Sequence, residues 1–501
     1  MKKLLAIITA LCLLCACAFA DMDAEQFLRF EKDNAFTHMA EEWAEIETQL
    51  SAYAEDKFEA MRIVTGLADT GDIAAMSILG QMYLYEYGVK QDLARAYELL
   101  SGAAEAGDHF AQWGLGYMYM VGAGVPQDSE KAFDFFMRSA EQGYYKGCIK
   151  LGDFYNIGVF VEQDIDKALE YWNKAAEIEP ACSVYMGQMY HMGSGVEKDL
   201  AKAFEYYSIS AGYGNYAAQY LLAQMYLAGD YVERDYDKAL EYLKLSAAQD
   251  SWEAMYMIGE MYYYGIGVKK DFTEAFSWYE RAAALGCADA MACMGEAYSY
   301  GYNYGFNVPQ DYAKALEWYK KAAEAGDTAS YYVVAMYYYA GYGCVKSIPE
   351  CVSWLEKGVR EGDANCAYEA GLFYLHGDGV PQDEAKALEF FETGAALNNK
   401  GCLYYAAAMC HAGVGTEVDL DKCFEYALKG AELGDYDCMY IAACSYLDGE
   451  GTEQNYENAF KWALAAAKGG IDDAKDMVAD MYEKGIGTAK SSVKAAYWRM
   501  K

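Results

Sequence analysis

The groups in this sequence that could do chemistry are five histidines, 15 cysteines and 76 acidic residues. Hydrolysis at a metal would need two histidines one helical turn apart with a glutamate beside them, and no His-Glu-x-x-His occurs. His38, His109, His191, His376 and His411 are scattered, and the last three fall at helix ends of different segments, where surface or rim positions are expected. Cys410 and His411 are adjacent, so on a helix they diverge by about 100° and cannot act as nucleophile and base to each other. Gly-x-Gly pairs are frequent, but each follows a helical rather than a strand-like stretch, which argues against a phosphate cradle. There is no Gly-x-Ser-x-Gly elbow and no P-loop. No catalytic constellation and no cofactor motif emerges, and a non-enzymatic role is the expectation.

Ten cysteines lie between Cys287 and Cys444. Cys366, Cys402 and Cys438 recur at one 36-residue spacing. Stacked units two helix diameters apart would hold them roughly 16–20 Å from one another, whereas a disulfide needs Cα atoms within about 7 Å. Those three cannot bridge. Cys410 and Cys423 fall where two helices of one unit face each other and form the candidate disulfide, with Cys287–Cys293 and Cys344–Cys351 as further pairs. Buried thiols filling alanine-sized gaps are the competing reading. A zinc set of Cys402, Cys410, His411 and Cys423 lacks any Cys-x-x-Cys spacing, and no metal is expected.

The elements that would position these groups follow from composition and period. The chain has 501 residues, too many for one compact core, and its 54% hydrophobic content suits a folded protein rather than a disordered one. Lys2 and Lys3 precede the apolar run Leu4 to Cys17, and Ala18-Phe19-Ala20 offers small residues for cleavage, so residues 1–20 read as a signal peptide. Leu14-Cys15-Ala16-Cys17 also resembles a lipobox, with Cys17 the candidate for lipidation. The mature chain is expected to be exported, periplasmic or secreted, or else anchored in the envelope by that lipid. No later stretch has the apolar length of a membrane span. Losing Lys2 and Lys3 takes the formal charge from −36 to −38, a surface that repels nucleic acid.

The internal repeat decides the architecture. Gly80, Gly116, Gly152, Gly187, Ala223, Gly259, Gly295, Ala335, Gly371, Ala407, Ala443 and Ala479 recur at intervals of 36 residues, with one of 35 and one of 40. Three residues on stands Tyr83, Tyr119, Tyr155, Tyr190, Tyr226, Tyr262, Tyr298, Tyr338, Tyr374, Cys410, Tyr446 or Tyr482. Within a unit, an Ala-rich helical stretch runs into the glycine and ends near the tyrosine, and a Gly-x-Gly turn follows. An aspartate such as Asp271 then caps a second helix with its own apolar stripe. Small residues at the recurring Gly and Ala let the two helices approach closely. One such hairpin cannot bury both faces, so neighbours must stack into an all-α solenoid. Residues 21–72 read as an N-terminal helical cap containing a degenerate unit, and 73–501 as about twelve units. An insertion, Gly301-Tyr302-Asn303-Tyr304-Gly305-Phe306-Asn307, accounts for the 40-residue interval.

Met118-Tyr119, Gly122-Ala123-Gly124-Val125, Asp128, Lys131-Ala132, Phe136 and Gly143 resemble the Sel1-like repeat, as do Gly371, Tyr374, Gly377, Gly379-Val380, Asp383, Lys386-Ala387 and Phe391. The likeness covers roughly residues 57–501 and is similar to the tetratricopeptide repeat in using two helices per unit. Ser347-Ile348-Pro349 departs from it at a capping position, and Thr416, Thr452 and Thr488 replace the valine. The resemblance implies a right-handed superhelical scaffold that recruits proteins, with bacterial members often exported and active in envelope assembly or host contact. Cysteine-rich members bridge each repeat with a disulfide, but the matching cysteine on the second helix is missing here.

Positions that recur build the stack, and those that vary on the first helix are free to recognise something. The tyrosine column Tyr220, Tyr256, Tyr332, Tyr368, Tyr404 and Tyr440 recurs too regularly for that and is assigned to packing. Tyr117, Gln188, Gln224, Glu260, Tyr264, Glu296 and Tyr300, one or five residues beyond the recurring small residue, are the candidate partner-binding positions. They would line an acidic, tyrosine-rich concave groove, joined by Tyr302, Tyr304 and Phe306 of the insertion. A protein or peptide partner is the expectation. The alternatives are an envelope enzyme or ligand-binding protein acting on peptidoglycan-like or β-lactam compounds, and a carbohydrate-binding solenoid.

Overall fold

The computed structural model describes residues 40–301, 305 and 308–501. Among them the chain forms 26 α-helices, one 3-10 turn at Pro180–Cys182 and no strand, an α-solenoid of repeated hairpins as the sequence indicates. The signal segment with Cys17, and Tyr302, Tyr304 and Phe306, lie outside the described residues. Two compact bodies, Met1–Ala254 and Met255–Lys501, each consist of hairpins stacked in chain order.

The hairpin His109–Val121 with Ser129–Glu141 shows how the residues make the unit. Asp108 caps the first helix, accepting from the Ala111 amide at 2.7 Å. Gly122 closes it in the left-handed region at φ 74°. Asp128 then acts twice. Its carboxylate accepts from the Lys131 amide at 3.0 Å, and its own amide donates to the Tyr119 carbonyl at 2.9 Å. That backbone bond closes the hairpin in each of the twelve units, at 2.8–3.2 Å. It survives where Ser347, Asn455 or Ser491 replaces the aspartate, and where Cys410 replaces the tyrosine, because it uses main-chain atoms. Ser347 also caps its helix in full, its hydroxyl taking the Glu350 amide with Pro349 in the first turn, so the departure from Asp is a conservative one. The four added residues after Gly301 leave the Asp311 amide on Tyr298 at 2.8 Å.

The seam inside each hairpin is a match of volumes. A Cβ built on Gly116 would lie 2.7 Å from the Phe136 ring; on Gly152, 2.3 Å from Trp172; on Gly187, 2.5 Å from Tyr207; on Gly371, 2.6 Å from Phe391. Each ring stands 20 residues after its glycine and fills the notch that the absent side chain leaves. Where alanine replaces glycine the partner shrinks: Ala335 shares a core cluster with Leu355, Ala407 with Ala427, and Ala443 with Ala463.

Where a turn has a second glycine, that residue sets the stacking of one hairpin on the last. A Cβ on Gly415 would fall 2.3 Å from the Glu384 carbonyl oxygen and one on Gly451 2.0 Å from that of Leu420, both at the start of the preceding unit's second helix. In seven units the lysine three residues after the second-helix cap covers the recurring tyrosine, as with Lys202 over Tyr190 at 4.5 Å and Lys386 over Tyr374 at 4.1 Å. At the N-terminal end of the first body, Ala40–Leu50 and Lys57–Asp69 pack on the first full hairpin, with Trp43 Nε1 donating to the Tyr85 carbonyl at 2.9 Å and Ile46 and Leu50 buried.

These contacts separate the two glycines of a turn. Gly449→Ala meets only side-chain and backbone atoms at 3.3 Å or beyond and is expected to cost about 1 kcal/mol for its left-handed backbone. Gly451→Ala also collides with main chain of the neighbouring unit and should cost about 1–3 kcal/mol more. Chemical unfolding of the two variants side by side measures the difference.

Candidate functional site

In the second body the helices Trp252–Tyr264 and Ala288–Tyr300 carry most of the polar positions picked out in the sequence. Tyr256, Glu260 and Tyr264 share one face of the first, and Asp289, Cys293, Glu296 and Tyr300 one face of the next. Glu260 was expected on a solvated face and is instead 3% exposed. The cause is the glycine beside it. With no side chain on Gly259, the Tyr279 ring from Phe272–Ala284 enters the notch, where a Cβ would be 2.5 Å away. Its phenol reaches through and donates to Glu260 Oε1 at 2.5 Å.

Burial drives the Glu260 pKa up to about 7, opposed by the Tyr279 hydrogen bond and assisted by repulsion from Asp289 and Glu296. No cation pairs with it among the described residues. Glu296 is half-buried and its pKa is also raised by desolvation, with the Tyr263 hydroxyl 3.5 Å from its Oε1. Burial and the surrounding carboxylates push up the half-buried Cys293 thiol, so it is a poor nucleophile. The Tyr263 and Tyr264 rings meet edge to face at 4.8 Å, and Tyr256 lies 5.8 Å from Tyr279. Tyr264 and Tyr300, in the same register of successive units, are 50% and 41% exposed.

Beside this site Gly305, a described residue of the insertion, packs on the hairpin. A Cβ on Gly305 would lie 2.6 Å from the Phe272 ring, the role that the second turn glycine plays elsewhere. Gln310 Nε2 donates to the Ser299 carbonyl at 2.7 Å and to the Tyr312 hydroxyl at 2.9 Å. Tyr312 stacks on Tyr342 at 4.9 Å, and the Ser299 hydroxyl meets that of Tyr337. The first-body positions differ. Tyr117 is half-buried and stacks on Trp113 at 5.9 Å, and Gln188 is half-buried. Gln224 was expected to face solvent but is 2% exposed, with neither amide atom hydrogen-bonded among the described residues.

A family profile described as the Sel1 repeat matches twelve successive segments: 73–108, 109–144, 146–178, 180–212, 217–251, 252–287, 288–327, 328–363, 364–399, 400–435, 437–471 and 473–498. The chain belongs to the Sel1 repeat family. Among solved structures it is similar to c5321, a protective antigen of uropathogenic Escherichia coli strains displaying an SLR fold, at 28% identity over 88% of this chain and 93% of that one, with a TM-score of 0.48. A Sel1 repeat protein from Oxalobacter formigenes is 26% identical over 60% of this chain and 87% of that one, TM-score 0.49. Immunity protein Pa5087 from Pseudomonas aeruginosa is 22% identical over 39% and 74%, TM-score 0.29. No curated protein matches the chain.

The Sel1 frame accounts for the cysteines. Cys366, Cys402 and Cys438 are fully buried, each opposite a glycine of the preceding second helix: a Cβ on Gly358, Gly394 or Gly430 would come within 2.2–2.4 Å of the thiol sulfur. Helix-interior glycines are otherwise unfavourable, and here they make room for sulfur. Cys410 and Cys423 lie buried in one apolar cluster as free thiols, with burial pushing the Cys423 thiol up to about 11. Among the histidines, His109, His376 and His411 are exposed, whereas His191 is half-buried against Tyr207 and its pKa is lowered by desolvation. That burial follows from the same Gly187 notch, which seats Tyr207 beside it. Among the described residues no set of three His, Cys, Asp or Glu could hold a metal, and no single helix is long and apolar enough to cross a membrane.

The raised Glu260 pKa makes a pH prediction. A carboxyl held above its ordinary value of 4.5 costs no stability while protonated in both folded and unfolded chains. The penalty grows as pH climbs from 4.5 to about 7 and is constant above that. Glu260→Gln removes it, so the variant should gain about 3 kcal/mol on wild type between pH 4.5 and pH 8, read from denaturant unfolding at both values.

Proposed function

We propose that this Sel1 protein is an exported, non-catalytic scaffold that binds a protein or peptide partner on the face carrying Tyr264, Glu296 and Tyr300. Sel1 repeat proteins generally mediate protein–protein interactions as scaffolds, which supplies the broad role. The observation supporting this particular face is the pair of exposed tyrosines, repeated in register on successive first helices and set against carboxylates. Tyrosine offers a large, stiff, amphipathic contact at low entropic cost, the chemistry of binding hot spots. The leader-like residues 1–20 favour a partner in the periplasm, at the cell surface or outside the cell, with lipidation at Cys17 as the anchored form.

The test is crosslinking in the envelope fraction followed by capture of the tagged chain, comparing wild type with Tyr264→Ala/Tyr300→Ala. Both residues are exposed, so the fold should persist. A specific partner is expected to be recovered at least about tenfold less by the variant, the effect of losing 1.4 kcal/mol of binding. Equal recovery from both would overturn the placement of the binding face.

A further inference from the structure

In the first body three successive units build one face that is both aromatic and basic. The Tyr85 ring lies 6.4 Å from that of Trp113 and 6.0 Å from that of Tyr117, and Trp113 stacks on Tyr117 at 5.9 Å. Lys146, on the next first helix Tyr145–Ile157, sets its Nζ 5.1 Å over the Trp113 ring. Lys150 follows one turn later, its Nζ 3.4 Å from an Asp153 carboxylate oxygen. These two are the only lysines or arginines on the first helices of that body. Second-helix lysines such as Lys131, Lys167 and Lys202 are exposed, whereas Lys146 and Lys150 are half-buried. A lysine seldom leaves water unless something lies along its stem and an acid meets its head.

The stretch of chain that leads to this face is 21–39, which lies outside the described residues. It ends at Ala40, where the helix Ala40–Leu50 begins, and that helix is fastened beside the face. Trp43 Nε1 donates to the Tyr85 carbonyl, and the Trp43 ring meets Tyr87 edge to face at 6.1 Å. Five acids in 21–39 against Arg29 and Lys32 leave a formal charge of −3, and Phe27, Leu28, Phe30 and Phe36 are interleaved with them. Its 19 residues extend to about 60 Å, whereas Tyr85 and Lys150 are separated by two unit steps of roughly 16–20 Å. We propose that residues 21–39 occupy this face, with phenylalanines on Trp113 and Tyr117 and carboxylates at Lys146 and Lys150. In a chain of formal charge −36 most of the surface repels an acidic segment, and the first helices of this body offer lysine only here. Attachment next to the face raises the local concentration of the segment to about the millimolar range, so modest affinity keeps it in place. The chain thereby closes this face of its first body to other ligands until the segment is displaced. The scaffold reading is not needed for this, because the test uses no partner.

The experiment places photo-crosslinking benzoylphenylalanine at Phe30 of the full chain, in an equal mixture of isotope-labelled and unlabelled protein. Crosslinks within one chain to the stretch from Phe110 to Tyr117, or from Tyr144 to Lys150, are expected. Crosslinks that map elsewhere, that join labelled to unlabelled chains, or that fail to form would overturn the proposal, and joined chains would make the occupant a second copy. A short pulse of acetylation by an N-hydroxysuccinimide ester gives an independent readout. The variant Phe27→Ser/Phe30→Ser/Glu31→Lys/Asp33→Lys changes only residues ahead of Ala40, and circular dichroism confirms that its helices persist. In it Lys146 and Lys150 are expected to react at least about fivefold faster than in wild type, because the ester reaches them only when the segment has lifted away. The exposed Lys167 and Lys202 should react as before. Equal rates at Lys146 and Lys150 in the two proteins would contradict docking of the segment.

Discussion

A missing side chain on the first helix, filled by a larger one from the second, governs the geometry of the hairpins whose recurring small residue is glycine. Two helices with ordinary side chains cross at 8–10 Å. At Gly116, Gly152, Gly187, Gly259 and Gly371 the second helix instead drives a ring onto bare backbone. The notch fixes the angle of the hairpin, and the ring carries the apolar burial that holds it. Because the packing is close, any polar tip on that ring must find a partner inside. Tyr279 finds Glu260 and Tyr207 finds His191, whereas Phe136 and Phe391 have no such need. The buried Glu260 carboxylate with its raised pKa is therefore a by-product of the same constraint that folds the unit.

Closure and stacking are handled by backbone rather than side chains, which is why the array tolerates substitution. The bond from the second-helix cap to the carbonyl three residues beyond the recurring small residue persists through Asp, Ser and Asn caps, and through an insertion in the turn. Where the turn has a second glycine it packs against the start of the preceding second helix, at Gly415, Gly451 and Gly487 directly on a carbonyl oxygen. With fold and stack secured at these few positions, the outer stripe of the first helix is left to vary. Tyr264 and Tyr300 occupy it where it faces carboxylates.

The hairpin boundaries, the caps and the seam were legible because glycine, tyrosine and aspartate recur at fixed spacing, and periodicity reports packing directly. Glu260 was not, because a glutamate one residue past a glycine looks like solvent-facing helix. The signal that could have placed it is Tyr rather than Phe at 279, a hydroxyl destined for the core. Gln224 gave no such sign, since its counterpart 20 residues past Ala223 is Leu243. The cysteine register was visible but not its meaning. Gly358, Gly394 and Gly430 in mid-helix were the clue that thiols fill notches there, since a helix-interior glycine needs a reason. Ser347 looked like a defect in the pattern and is a working cap, because capping asks for an oxygen and not for a charge.

Volume matching across the seam is tested most directly by a double-mutant cycle at Gly371 and Phe391. The quantity to measure is the opening free energy of helix Ala364–His376 by native-state hydrogen exchange, since repeat arrays unfold locally. Gly371→Ala alone should cost about 1–3 kcal/mol through overpacking. With Phe391→Leu it reproduces the Ala335–Leu355 pairing already present in this chain, so the double variant should be more stable than the sum of the single costs by about 1 kcal/mol or more. Strictly additive costs would contradict the claim that the notch and the ring form one unit.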